Sequence, residues 1–584
     1  MITKKEITDF FDLEAEEAKK KWEATMSLPI KDRIRKRKAI QSVFLDRDYH
    51  SANEENYDLL RIKVGVNLSD FKEGDCLFLH KEGELTGIKC VLNSFEGDEA
   101  IIIEVFPLNM PGNLDGYYDI PLVLDKDLVD LREYVIYPFT VTLPAAYDSF
   151  WEEHLINTKP SPSFEDMEKC DEELRDTEKN FKLSLLPSQR EAILKSMAAK
   201  DYYLIQGPPG TGKSFVLGYI ILEEIAFFNH KVVVIGPNHM AINNALEQVL
   251  KNCTGYYGSL IKVGQAYNAP KLAIQINDQE LKITNIHHLD SSKANSSDFI
   301  WAIGMTPYCF YTNRARGLEC DTLIIDEAGQ ETIPLALMGM MKAKKVILAG
   351  DHKQLPPIIT SDEVPEEMRQ SIFQTLITDD NCTMLDVSFR MCKPICDFVS
   401  ELFYDGKLKP YKTGCGDKII CQDSLYSFDK PVILHHVDDN GKQTSDKEAE
   451  FIADTIAGFL KHGLPAEEIA VLSPFRAQAA NVRRHIRKHE GIPEESRNAI
   501  VANTIDKMQG QEREVIIFSL VAGDYEYMTE MADFLYNPNK LTVAFSRAKS
   551  KLIIVGNVEQ LAKISIIDYP YIHAMLESKY IEKI

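Results

Sequence analysis

The alternation of apolar and polar positions changes character along the chain, and each change marks a region. Residues 6 to 26 place Phe10, Leu13, Ala18, Trp22 and Met26 between charged positions at helical spacing. A basic run, Lys31 to Lys38, follows, and reads either as a solvated helix face or as a contact to phosphate. From about 46 to 145 the pattern shortens to β-rich runs, Leu59 to Val66, Asp75 to His80, Gly87 to Leu92 and Ala100 to Val105, separated by Gly, Asn and Asp turns. Strands this short and closely spaced predict a small barrel. Residues 148 to 182 are charged and helix-prone apart from Lys159-Pro160-Ser161-Pro162, which predicts a helical return from the barrel.

Beyond residue 186 the pattern becomes strand–helix alternation. Strands are predicted at Val232 to Ile235, Thr322 to Ile325, Lys345 to Leu348, Ile469 to Leu472, Val515 to Leu520 and Leu552 to Val555. Helices fit between them at Lys393 to Leu402, Lys447 to Lys461 and Ala477 to Lys488, with Ser445 and Glu448 placed for a capping box. Such alternation builds parallel sheets whose ligand sites lie at the carboxyl ends of the strands, and this many strands need two sheets. The expected fold is α/β, two parallel-sheet domains preceded by a small β-barrel on a helical stalk. The expected divisions are 1–45 (stalk), 46–145 (barrel), 146–185 (returning helices), 186–358 and 359–584 (the two sheet domains).

Composition narrows the class. At 45% hydrophobic and 27% charged, the 584 residues are those of a globular protein with several cores. No apolar run reaches the roughly 20 residues needed to cross a bilayer and the start lacks a signal-type apolar segment, so a cytoplasmic, membrane-free protein is expected. Eleven cysteines without a C-x-x-C pair read as reduced core thiols. The net charge of −23 argues against a general polyanion surface, but residues 46 to 185 hold 31 acidic and 13 basic side chains, −18 of that total. With +3 in residues 1 to 45, the remainder carries only −8. A nucleic acid would therefore be held in a local groove of the later part, while the acidic barrel suits a protein partner.

The chemistry centres on Gly207-Pro208-Pro209-Gly210-Thr211-Gly212-Lys213-Ser214, between the apolar run Tyr202 to Ile205 and a helix-like stretch from Phe215. A glycine-rich turn between strand and helix directs unpaired N–H groups, including those of Gly207, Gly210, Thr211 and Gly212, at one spot where a triphosphate binds. Lys213 adds charge for the β- and γ-phosphates, and the Ser214 hydroxyl suits Mg²⁺. ATP and Mg²⁺ are thus the expected cofactors. Just past another strand, Asp326 is placed to hold the metal and Glu327 to take a proton from the attacking water. Gly350-Asp351-His352-Lys353-Gln354-Leu355-Pro356-Pro357 follows a third strand, where Gln354 could bond the γ-phosphate or the lytic water and so sense hydrolysis. The second sheet supplies Arg390, Glu512 and Arg547, and arginines across a cleft stabilise charge on a transferred phosphoryl group.

In order, Pro187-Ser188-Gln189, the phosphate loop, Asp326-Glu327-Ala328-Gly329, the Gly350 to Pro357 motif, Ser473-Pro474-Phe475-Arg476-Ala477-Gln478, Asp506 to Glu512 and Ser546-Arg547-Ala548-Lys549 resemble superfamily 1 helicases. The branch is 1B, that of the nonsense-mediated decay and immunoglobulin mu-binding-protein helicases, and the resemblance covers residues 186 to 560. It implies two RecA-like domains, a barrel on a stalk, and 5′→3′ movement along single-stranded RNA or DNA. It further implies that Gln189 reads adenine, Phe389 stacks on the base where relatives usually carry Tyr, Arg390 and Arg547 meet the γ-phosphate, and Glu512 meets the ribose. Strand contacts would come from Thr306, Pro474, Phe475, Arg476 and Thr504. His239 and Asn243 stand where the family usually has Asn and Asp, and the interval before Thr306 leaves room only for a small helical insertion, around 265 to 295. The rival expectation is an ATP-gated nucleic-acid clamp or ribonucleoprotein adaptor that unwinds nothing. A small-molecule phosphotransferase is disfavoured by the second-sheet arginines.

Overall fold

The structure, a computed structural model, describes residues 2–584 apart from 53–56, 66, 68, 72–73, 85, 98, 129, 131, 133–134, 136–155, 253–258, 265–272, 277–278, 297–299, 416–418, 420 and 522. The start of the return from the barrel, expected from 146, lies outside the described residues.

The N-terminal helix, Lys4–Met26, opens with a reciprocal capping box between Thr3 and Glu6. Its Ile7, Phe10 and Phe11 are buried in the core of the first sheet domain. The barrel is closed by β1 (Ala39–Ala52), β2 (Asp58–Lys63), β3 (Cys76–Lys81), β4 (Gly87–Glu96), β5 (Ala100–Val105) and β6 (Leu122–Lys126), in the order β1-β2-β5-β4-β3-β6. Alternating residues such as Leu60, Ile62, Leu77, Leu79, Ile101 and Ile103 fill its interior. The barrel starts at Ala39, inside the stretch expected to be stalk. Its first and last strands escaped the sequence pattern because β1 mixes charged residues with register shifts and β6 is only five residues long.

The basic run resolves into local pairs. Arg33 is buried and forms two 3.0 Å bonds to Asp125 of β6, which also meets His80 Nε2 at 2.9 Å. Arg35 and Arg37 make exposed pairs with Asp32 and Asp70. The barrel's carboxylates are likewise matched by cations, as in Asp46 with Lys63, Asp75 with Lys126 and Asp127 with Lys89.

The first parallel sheet holds β7 (Tyr202–Gln206), β8 (Val232–Ile235), β9 (Ser259–Val263), β12 (Thr284–Ile286), β13 (Trp301–Gly304), β14 (Cys320–Ile325), β15 (Ala343–Gly350) and β16 (Cys382–Met384). Their order is β12-β9-β13-β8-β14-β15-β7-β16. The final strand belongs to this sheet although it lies beyond residue 358, where the first domain was expected to end. The expected helical insertion is instead a hairpin of β10 (Ala273–Ile276) and β11 (Gln279–Lys282) among the described residues.

A small pair, β17 (Val387–Cys392) and β18 (Lys409–Lys412), leads to the second parallel sheet. That sheet comprises β19 (Val432–His436), β20 (Ile469–Ser473), β21 (Val501–Thr504), β22 (Arg513–Ser519), β23 (Ala548–Gly556) and β24 (Ile581–Lys583), ordered β21-β20-β22-β23-β19-β24. Both sheets are sandwiched by helices, so their strands are buried runs of Val, Ile and Leu.

Two sequence expectations need correction here. Ser445 Oγ accepts the Glu448 N–H at 3.0 Å, but the Glu448 carboxylate turns inward to Ser519 Oγ at 2.6 Å and the Val521 N–H at 3.1 Å. The capping box is therefore half formed. The cysteines are not all reduced, since Cys392 and Cys415 form a disulfide. The pairing of β17 with β18 carries the two together from 23 residues apart, a proximity no sequence spacing signals. Among the described residues no helix is long and apolar enough to cross a membrane.

Candidate active site in the cleft between two sheets

The phosphate loop leaves the carboxyl end of β7 and opens the helix Lys213–Ala226. Gly210 and Gly212 adopt φ of +74° and +84°, conformations that side chains resist. A Cβ on Gly210 would also strike the Arg390 Cβ at 2.4 Å, so glycine is required by the approach of β17 as well as by the turn. Of the four loop N–H groups expected to be unpaired, those of Gly210 and Gly212 meet no backbone acceptor among the described residues, whereas the Gly207 N–H donates to Gly350 O at 2.9 Å and the Thr211 N–H to Pro208 O at 3.3 Å, because the turn closes on itself and on the end of β15. Gln189, almost fully buried, donates from Nε2 to the Thr211 carbonyl at 3.2 Å and accepts the Leu186 N–H through Oε1. It is thereby fixed beside the loop.

Lys213 Nζ bridges the two carboxylates beyond β14, 2.5 Å from Asp326 Oδ1 and 2.8 Å from Glu327 Oε1. Burial alone would lower the Lys213 pKa, but the two carboxylates outweigh it and hold it raised. Burial raises the Asp326 carboxyl, while the Lys213 charge keeps Glu327 below its ordinary range. Glu327 sits at φ +55°, a strained backbone for a residue with a Cβ. Gln330 Nε2 steadies its Oε2 at 3.2 Å. Gly329 packs against the chain after β15, where a Cβ would lie 2.7 Å from the Asp351 carbonyl, which explains the glycine in that motif.

Gln354 is the hinge of the arrangement. Its Nε2 donates to Asp351 Oδ2 at 2.9 Å, and its Oε1 accepts from Arg547 Nη2 at 3.1 Å, a bond between the first and second sheet domains. Asp351 also accepts from Tyr404 Oη at 2.6 Å and Gln206 Nε2 at 3.2 Å. Asn539, in the second domain, donates to the backbone carbonyls of His352 and Gln354. Neither Tyr404 nor Asn539 has a sequence signal, and Asp351 has one only through its motif.

Arg547 is 2% exposed and has no carboxylate within 4.0 Å among the described residues. Burial first, then the neighbouring Arg390 charge, pull its pKa down to about 9, so it remains a cation at neutral pH. Arg390 instead pairs with Glu512, which also meets Lys549 at 3.3 Å. Glu512, expected at a ribose, is thus engaged with two cations. β17 is latched to the phosphate loop by the Phe389 N–H to Gly210 O at 2.8 Å and Ser388 Oγ to Pro209 O at 2.8 Å. The Phe389 ring lies 4.7 Å from that of the exposed Tyr411.

The expected strand contacts separate into two groups. Thr306 follows β13 and caps the short helix Pro307–Tyr311, and Thr504 ends β21 and caps Ile505–Met508 with nearly the same backbone angles. Thr306 is partly accessible; Thr504 is buried. Pro474 and Phe475 are buried as well, Phe475 against the rings of Tyr527 and Phe534, because the chain after β20 turns inward there. Arg476 alone of that trio is exposed. His239 lies against Lys262 Nζ, 2.9 Å away, and burial drives its pKa down to about 4.

The donor set fits a magnesium–triphosphate. Its parts are free loop N–H groups, the Ser214 hydroxyl and Asp326 carboxylate as oxygen ligands, and Lys213, Arg390 and Arg547 as surrounding cations. Two AAA domain families match in tandem, one over residues 184–304 and 310–362 and the other over 368–559. The fold and site therefore define a tandem AAA ATP hydrolase. More narrowly, the paired domains and the relatives support a helicase of superfamily 1 type. The chain is 27% identical over 475 residues to an uncharacterized ATP-dependent helicase of Methanocaldococcus jannaschii, covering 65% of this chain and 68% of that one. It is 27% identical over 439 residues to DNA polymerase alpha-associated DNA helicase A of Schizosaccharomyces pombe, with 65% and 64% covered. With the mouse DNA replication ATP-dependent helicase/nuclease DNA2 it shares 26% over 427 residues, 67% of this chain but 38% of that protein. The chain thus spans between about one third and two thirds of these relatives' lengths.

Proposed function

We propose that the chain is an ATP-driven translocase that moves 5′→3′ along single-stranded nucleic acid and unwinds duplex ahead of it, as a 1B-type helicase. The observation that carries this is the Arg547–Gln354 bond, which makes one polar network of groups from both sheet domains. A site divided this way completes itself only when the domains close, so hydrolysis and domain movement become one event. In the closed state Lys213, Arg390 and Arg547 would surround the β- and γ-phosphates, and Glu327 would accept the proton of the attacking water. Mg²⁺ held by Ser214 and Asp326 would neutralise charge developing on the phosphates. Gln189 would bond the adenine edge, and Phe389 with Tyr411 would offer its face a shelf.

DNA is the first track to test, because two of the relatives carry DNA in their names. The decisive measurement is the steady-state ATPase rate without polymer, with single-stranded DNA and with single-stranded RNA, on wild type and Glu327→Gln. Stimulation by one polymer, lost in Glu327→Gln, is the expected result, followed by strand displacement from a 5′ overhang. A rate indifferent to both polymers would sink the translocase. Tight, nucleotide-dependent binding without displacement would instead establish an ATP-gated clamp.

A further inference from the structure

We propose that Tyr404 is a positioning residue for ATP hydrolysis: by donating to Asp351 across the domain junction it fixes which way the Gln354 amide faces, and through that amide it aims the Arg547 guanidinium. The proposal rests on the reading of Arg547 as a cation for the γ-phosphate and adds to it the residue that sets its direction.

Asp351 lies just past the carboxyl end of β15 and is 3% exposed. Its Oδ1 accepts from Gln206 Nε2 at 3.2 Å and the Lys353 N–H at 3.1 Å, and its Oδ2 from Gln354 Nε2 at 2.9 Å and Tyr404 Oη at 2.6 Å. All four partners donate, so the carboxylate acts only as an acceptor. Three of them belong to the first domain. Tyr404 is the exception, since it ends the helix Lys393–Phe403 and is buried in the core of the second domain. Burial holds the pKa of its hydroxyl well above the ordinary value, so it remains a donor.

A side-chain amide can offer a neighbour either its oxygen or its nitrogen, and here both neighbours dictate the choice. A carboxylate that only accepts must meet Nε2, and a guanidinium that only donates must meet Oε1. Turning the amide over would break both bonds at once. What keeps it from turning is the place of Oδ2, which Gln354 shares with Tyr404. Without the Tyr404 hydroxyl that oxygen keeps a single partner, and the carboxylate is free to rotate toward the two donors on Oδ1. The backbone beneath Gln354 is held separately, by Asn539 Nδ2 on the carbonyls of His352 and Gln354. Loss of the hydroxyl therefore frees the side chain without moving the chain.

The consequence falls on Arg547. Its Nε donates to Val543 O at 3.1 Å and its Nη2 to Gln354 Oε1 at 3.1 Å and Ser546 Oγ at 3.3 Å, while Nη1 has no hydrogen-bond partner among the described residues. Two nitrogens of a rigid fork are thus anchored, and the anchors decide where the third points. Three of these anchoring contacts are made within the second domain's own chain or to its neighbour in sequence; the bond to Gln354 ties the fork to the domain that carries the phosphate loop.

The test measures steady-state ATPase kinetics and the thermal unfolding midpoint of the full chain for wild type, Tyr404→Phe, Gln354→Ala and the double variant, with and without single-stranded DNA. In Tyr404→Phe, which fills the same space and lacks only the hydroxyl, kcat is expected to fall about threefold or more at unchanged KM for ATP. In the Gln354→Ala background the same substitution should change kcat less than about 1.5-fold, because the amide through which Tyr404 acts is gone. Equal falls in both backgrounds would overturn the proposal, as would a Tyr404→Phe kcat equal to wild type. A raised KM together with a lowered unfolding midpoint would overturn it too, by showing that Tyr404 only supports the fold. Hydrolysis indifferent to DNA would count against movement along DNA and leave the Tyr404 comparison decisive, whereas a wild type that hydrolyses no ATP would overturn both readings.

Discussion

Two cations face the cleft, one partly and one fully buried, and they are treated in opposite ways. Lys213, in the first domain, is bridged by Asp326 and Glu327 and its charge is balanced by its own fold. Arg547, in the second, is more deeply buried and, among the described residues, has only a glutamine oxygen, a serine hydroxyl and a backbone carbonyl as partners. An arginine cannot escape burial by losing its proton at neutral pH. The first domain balances its cleft cation from its own fold, while the second presents a cation with no carboxylate partner among the described residues. In the function proposed above, an anion entering the cleft would supply the missing counterion, so Lys213 would serve stability as well as binding and Arg547 the reaction.

The contrast is broken most severely by Arg547→Ala. We expect polymer-stimulated kcat to fall about 10³-fold or more, while thermal unfolding shows a midpoint equal to or above wild type, since an unbalanced buried charge has been removed. A large loss of stability would show that Arg547 is structural. Lys213→Ala should behave the other way round. Besides losing ATP binding, it leaves two carboxylates without their cation, and denaturant titration should show a loss of about 3–5 kcal/mol. Gln354→Ala removes one bond from each side of the domain junction, and a two- to tenfold fall in kcat with little change in stability is expected.

The smallest effect sharpens the comparison with a buried charge that does have an escape. Glu448, in the second domain, has no cation partner among the described residues, and burial raises its pKa to about 8 from an ordinary 4.5. Between those values the folded chain holds a proton that the unfolded chain has released. Stability from this group is therefore complete below about pH 4.5 and is lost as pH rises toward 8. Glu448→Gln should flatten the fall in melting temperature across that window, and an unchanged slope would show that the group is ionised in the fold.

The parts of this architecture that were legible in the sequence are those whose chemistry demands contiguous residues. A phosphate loop, a carboxylate pair after a strand and an aliphatic strand buried on both faces must each be written in one stretch, and the positions of Lys213, Asp326 and Gln354 follow. What escaped is made by contacts between distant stretches. Asn539 meets the Gln354 carbonyl across 185 residues and Tyr404 meets Asp351 across 53, and neither pair has a local pattern. Local rules also failed where tertiary partners outbid them. Glu448 leaves its helix N-terminus for Ser519, and Phe475, placed by its motif on a binding surface, is drawn inward by Tyr527 and Phe534.

The N-terminal helix is fastened at three points. Ile7 and Phe10 lie in the first domain's core, Glu14 accepts the Thr360 and Ser361 N–H groups, and Trp22 Nε1 donates to Lys126 O of the barrel, just before the Arg33–Asp125 pair. A rod pinned at root, middle and tip transmits displacement without bending. The barrel is consequently a fixed outrigger of the first sheet, and were the second sheet to swing as proposed, the gap that changes would be the one between it and this outrigger. A strand drawn through the cleft would be hauled past a stationary post.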